Sequence, residues 1–284
     1  MPVYEQVYRK YEAREALRTA RFWPITREAL RLLLSRRAFL ALIVLAWLPF
    51  LGFLIYVWAL TQFGQVAEGM TSALPKGGAV FAQFFKWQML FGLLLTTFGG
   101  AGLVANDLRT GAILVYLSRP LTRRDYVIGK LSVLLAINLF VTLVPGLLLY
   151  GVALALAPAQ FLKLDLAWLG PAVALHAVVL SLSLSLPALA VSSLSRSARV
   201  AGLGFFGLLM GLEMIQSIVG AIGRWPATIL LSIQACVNTL GDALLGAPRE
   251  ASVPWVYPAL VLVAVGLGSL AVLRSRVRAV EIVR

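Results

Sequence analysis

One cysteine and one histidine in 284 residues leave little room for metal or disulfide chemistry. Cys236 has no partner for an intramolecular disulfide, and His176 with one thiol falls short of the several ligands a zinc centre needs. Charge is scarce as well. Only 13% of the chain is Asp, Glu, Lys or Arg, where soluble domains carry about 25%, which excludes an ordinary water-soluble domain. Also missing is a GxxxxGK[ST] phosphate loop, so ATP hydrolysis by that mechanism is not expected on this chain. His176 has no serine at a suitable spacing, since Ser181 and Ser183 fall on the wrong turns, and no acid partner is evident. No catalytic, cofactor-binding or metal site is therefore expected. His176 reads as a structural polar contact, with a hydrolase built on it and a nearby serine as the alternative.

What the chain has is hydrophobic length: 60% of its residues are hydrophobic. A helix rising 1.5 Å per residue needs about 20 apolar residues to cross a hydrocarbon core of about 30 Å. Six stretches qualify: Phe39 to Leu60, Phe84 to Ala105, Leu131 to Ala157, Pro171 to Leu194, Val200 to Ile222 and Trp255 to Leu273. Short loops rich in Lys and Arg stay cytoplasmic, and 20 of the 25 basic residues fall in alternate segments. Nine precede the first span, five separate the second and third, two separate the fourth and fifth, and four follow the sixth. Both termini are thus expected in the cytoplasm. The net charge of +13 follows from the same segments, so nucleic-acid binding is not inferred from it. Ala227 to Ala247 is long and fairly apolar, but as a seventh span it would put the last four arginines outside. It is expected to form outer-face helices or a re-entrant piece. The first apolar run starts near Ala38, too late for a cleavable signal.

Before the first span, Phe22 to Ser35 places Phe22, Trp23, Ile25, Ala29, Leu30, Leu32, Leu33 and Leu34 on one arc and Arg27, Glu28, Arg31 and Ser35 opposite. Pro24 suits the first turn, and an interfacial amphipathic helix is expected. Between the second and third spans lies a charged, proline-broken island. Ala112 to Leu117 is apolar and is bracketed by Asp107 and Arg109 on one side and Arg119 and Pro120 on the other. Proline disfavours helical geometry in the residue before it, so a turn is expected near Arg119. Thr122-Arg-Arg-Asp125 fits a capping box. The expectation is a rigid knob joined to two spans, able to transmit a push; a positive loop with nothing docked is the alternative.

Within the spans, Gly207 and Gly211 make a GxxxG spacing, and Gly99, Gly100, Gly102, Gly266 and Gly268 are further candidates for close contacts. Pro145 and Pro187 free carbonyls that need partners, for which Ser181 and Ser185 are candidates. Glu213 is the one ionisable residue deep in a span. Such a residue points to a water-filled path or a specific partner, and a stand-alone secondary transporter or channel using Glu213 is a possible reading.

Six spans, a basic start with an elbow helix, and the run from Asp107-Leu-Arg-Thr-Gly to Ser118-Arg-Pro-Leu-Thr-Arg-Arg-Asp-Tyr-Val-Ile-Gly-Lys130 resemble the permease subunits of ABC-2 exporters. The likeness is strongest at residues 105 to 131, although the family often has Glu where this chain has Asp107. The resemblance implies an all-α, six-span permease domain over residues 1–284: a basic segment with the elbow helix (1–38), a bundle (39–273) and a cytoplasmic tail (274–284). It implies a coupling helix braced by Asp107, Arg109, Arg119, Pro120, Arg123, Arg124 and Asp125 and seated on a separate nucleotide-binding ATPase subunit, which would hold ATP and Mg. It further implies a second permease chain, identical or related, facing this one around a substrate path, and placement in a bacterial inner membrane; Glu213, as an acid within a span, is the candidate residue for that path.

Overall fold

The computed structural model describes residues 22–63, 77–112, 122–156, 165–223, 225–248 and 253–276. The chain there is all-α: α1 (Trp23–Leu34), α2 (Arg37–Leu45), α3 (Leu48–Phe63), α4 (Gly78–Thr110), α5 (Arg123–Leu156), α6 (Asp165–Leu194), α7 (Ala198–Gly223), a 3₁₀ turn (Pro226–Leu231), α8 (Ile233–Leu245) and α9 (Val256–Arg276). Among the described residues, six stretches are long and apolar enough to cross a membrane: Arg37–Ala59, Gly78–Thr110, Arg123–Leu156, Ala167–Leu194, Ala198–Gly223 and Val256–Arg276. The protein is a polytopic membrane protein.

α4, α5 and α6 pack on one another and form the centre of the bundle. Phe84, Phe85, Leu93, Leu134, Leu180 and Leu184 fill the contact, and glycines set the spacing, with Gly100 resting on Leu134 and Ala188. The first, fifth and sixth spans keep most of their surface exposed. In lipid that surface costs nothing, because acyl chains are as apolar as leucine.

The first span departs from a single continuous helix. It breaks between α2 and α3 at Ala46–Trp47, just before Pro49, which has no amide to donate and clashes with the carbonyl four residues back. Pro145 sits inside α5 and leaves the Val141 carbonyl without its helical donor. Gln88 of α4 answers both interruptions: its Nε2 donates to Ala46 O at 3.0 Å and also to Val141 O. The serines considered for this task do not perform it at Pro145. Ser185 accepts from Asn138 Nδ2 at 3.3 Å, Asn138 Nδ2 also donates to Thr96 Oγ1 at 2.8 Å, and Ser181 Oγ has no partner among the described residues.

The segment after α7 is not a seventh span. α8 has 13 residues, about 20 Å of helix, and it turns back into the bundle. Its start lies at Glu213 of α7, ten residues before that helix ends, and its end lies against Gly78 at the start of α4. Lys86 pairs with Asp242 at 3.7 Å, and Trp168 Nε1 donates to Leu244 O at 3.3 Å. Gly241 crosses His176 so closely that a methyl group there would overlap the imidazole ring.

Candidate functional site

α4 and α5 have 33 and 34 residues, about 50 Å each, against a hydrocarbon core of about 30 Å. Part of the excess lies at the arginine-rich end of the bundle, where α5 begins eight residues before the apolar run. α4 stops at Gly111, whose φ of 69° lies in the left-handed region that favours glycine. α5 starts with the expected capping box: Asp125 N donates to Thr122 Oγ1 at 3.2 Å and Thr122 N donates to Asp125 Oδ2 at 3.0 Å. Short aspartate thus completes the reciprocal pattern that usually takes Glu or Gln.

Three buried or half-buried side chains lock the two helices together. Lys130 Nζ lies 2.8 Å from Asp107 Oδ2, with side-chain exposures of 7% and 15%, so the pair is largely shielded from solvent. Tyr126, fully buried one turn before Lys130, donates its hydroxyl to the same carboxylate at 2.8 Å. The Lys130 ammonium also stands 5.7 Å from the Tyr126 ring centroid. A buried ion pair holds geometry when further hydrogen bonds support it, and Tyr126 supplies one. α1 is pinned to the same junction. Thr26 Oγ1 donates to Gly129 O at 3.0 Å, and Gly129 lets Ile25 come close. Ile25, Ala29 and Leu33 are the buried face of α1, while Trp23, Leu32 and Leu34 stay exposed, so the apolar arc divides between protein and surroundings.

With Asp107 occupied by Lys130 and Tyr126, the outward charge of the junction comes from Arg109 at the end of α4 and Arg123 and Arg124 in the first turn of α5, all exposed. Cations in a first turn oppose the helix dipole, so these two arginines do not serve the helix that carries them. Of the seven residues expected to form the knob, Asp107 and Arg109 lie at the end of α4 and Arg123, Arg124 and Asp125 in the first turn of α5; Arg119 and Pro120 lie outside the described residues. Tyr126 and Lys130 were missed as site residues. Their one-turn spacing opposite the only acid at the end of the second span was the available signal.

Just below the junction, Ser192 of α6 enters the backbone of α4. Its hydroxyl donates to Ala101 O at 2.8 Å and accepts from the amides of Val104 and Ala105 at 3.2 and 3.1 Å. The Ala105 to Ala101 step is where an unperturbed helix places its own bond, and a side chain inserted there is a recognised cause of bending.

Glu213 stands apart from this junction. Ser232 Oγ donates to its carboxylate and accepts from Ala235 N at 3.2 Å, so the acid sits at the N-terminus of α8, where negative charge is favourable. Nearby, burial pushes the Cys236 thiol up to about 12, and the charge of Glu213 adds to the rise.

No curated protein matches the chain. The family described as ABC-2 family transporter protein matches residues 10–240, from the basic N-terminal segment through most of α8. That match covers most of the chain, which therefore belongs to the ABC-2 transporter family.

Proposed function

We propose that this chain is the permease subunit of an ATP-driven exporter, with a separate nucleotide-binding ATPase seated on the junction of α4 and α5 and a second permease chain completing the substrate path. One observation carries the reading: two helices longer than a bilayer is thick end at the arginine-rich side in a joint locked by Asp107, Lys130 and Tyr126. Arg109, Arg123 and Arg124 are exposed around that joint. Under the positive-inside rule this end is cytoplasmic, with both termini on that side and the chain in a bacterial inner membrane.

In this reading, closure of the ATPase pushes the joint and the buried ion pair makes α4 and α5 move as one. The Ser192 insertion is the point at which the end of α4 would bend relative to the rest. The fifth span offers a surface for the second chain: a Cβ added at Gly207 or Gly211 would meet nothing within 4 Å among the described residues, as on a GxxxG face awaiting a partner. Glu213 is assigned to holding the re-entrant helix α8 beside the path.

The test is the double variant Arg119→Glu and Arg123→Glu, with substrate-stimulated ATPase activity measured in proteoliposomes. Normal membrane insertion with a loss of about tenfold or more in stimulated activity, as expected when a charge-assisted contact of roughly 1.5 kcal/mol or more is reversed, supports the coupling role. Unchanged stimulation contradicts it.

A further inference from the structure

A cavity of about 670 Å³ opens at the arginine-rich end between α1, α4 and α7, within the roughly 300–1,000 Å³ typical of ligand sites. Its polarity is graded. Arg36 immediately precedes α2, and Arg199 is the second residue of α7, so both stand where spans begin. Both line the cavity, and neither guanidinium has an ion pair or side-chain hydrogen bond with any described residue. Asp107 is the one acid on the wall among the described residues, and Lys130 neutralises it at 2.8 Å. Among the described residues, two positive charges are left uncompensated at the mouth.

Deeper in, the lining turns apolar, with Leu203 and Phe206 one and two turns beyond Arg199 and Phe98 on the facing helix. Leu203 is 75% exposed and Phe98 65%, so the wall is not filled by any described side chain. A ligand that matches this gradient carries an anion at one end and hydrocarbon at the other. Basic pockets between membrane helices suit anionic headgroups, and arginine's planar fork binds phosphate bidentately.

We infer that this cavity is a binding site for an anionic phospholipid of the adjoining leaflet, its phosphate held by Arg36 and Arg199 and its acyl chains lying along Phe98, Leu203 and Phe206. The lipid bridges the elbow helix and the start of the fifth span beside the Asp107–Lys130 lock. The site depends on the wall described here and not on the identity of the ATPase or the exported substrate.

The test uses the full chain, delipidated in mild detergent and exposed in turn to phosphatidylglycerol, phosphatidylcholine, diacylglycerol and inorganic phosphate, with bound molecules counted by native mass spectrometry. The expected result is one retained phosphatidylglycerol per chain, preferred over phosphatidylcholine about thirtyfold, since each arginine near an anionic headgroup contributes about fivefold. Arg36→Gln with Arg199→Gln abolishes the preference, whereas Arg274→Gln with Arg276→Gln, at the same end on α9, keeps it. Leu203→Trp, which plugs the acyl channel and leaves both arginines in place, lowers retention without relying on the double arginine variant to fold. Equal retention of the two phospholipids, a preference that survives loss of Arg36 and Arg199, or retention untouched by Leu203→Trp overturns the inference. Binding of inorganic phosphate without lipid reassigns the arginines to a soluble anion. Disulfide-linked dimers of Leu203→Cys in bilayers, without lipid retention, reassign the wall to a second copy.

Discussion

Asp107 places a carboxylate where Lys130 and Tyr126 can both reach it, and the asymmetry of buried pairs decides what its loss does. Removing one partner strands the other charge at a cost of about 3–5 kcal/mol, while replacing both with apolar groups of similar shape is far milder. Asp107→Asn therefore lowers the thermal midpoint in detergent sharply, and Asp107→Leu with Lys130→Met recovers most of the loss; equal midpoints for the single and double variants would remove the lock from the account. At the opposite end, Gly241→Ala drives a methyl group into His176, an overpacking that costs about 1–3 kcal/mol and that His176→Ala relieves. Cys236 gives a pH-dependent check. A thiol raised to about 12 stays protonated below that pH, so the reactive thiolate is lacking near neutrality. Maleimide labelling of the folded protein should be negligible at pH 7 to 8 and complete on unfolding, and fast labelling of the folded chain would contradict the burial described.

At the scale of elements, backbone interruptions set the lateral contacts. Gln88 serves carbonyls on two other spans, so Gln88→Leu leaves two buried acceptors unsatisfied at about 1–3 kcal/mol each. Introducing Pro145→Ala into that variant restores a backbone donor to Val141 and returns part of the stability, measurable as a shift in thermal midpoint. Ser192→Ala removes the hydroxyl from the α4 backbone. It is expected to reduce stimulated ATPase activity while changing the thermal midpoint little, the signature of a bend that matters for motion. Six spans and their order were legible because apolar length is a one-dimensional signal, and the capping box was legible because Thr122 and Asp125 act within four residues. The break near Pro49 was not read, because an apolar count does not register a missing amide. Gln88 was not read for a different reason: its two acceptors lie 42 and 53 residues away, and no local pattern announces a side chain that repairs other helices. A separation of 23 residues likewise hid the partnership of Lys130 with Asp107, although their types and the turn spacing with Tyr126 were visible.

Across the whole molecule, a central unit of α4, α5 and α6 is flanked by three spans with largely exposed apolar surfaces, and charge gathers at one end. That distribution separates roles. In the proposed reading the centre holds shape, the exposed faces meet lipid or another chain, and the arginine-rich junction is the surface offered to a partner in the aqueous phase. The most direct measurement of the central claim is affinity purification of the full chain from its native membrane in mild detergent, followed by identification of co-purifying proteins and assay of ATPase activity in the eluate. A stoichiometric nucleotide-binding subunit is expected with the unaltered chain, and its loss when Arg109, Arg123 and Arg124 are replaced by Glu with the chain still inserted. A chain that purifies without any ATPase and moves its substrate on an ion gradient alone would contradict it.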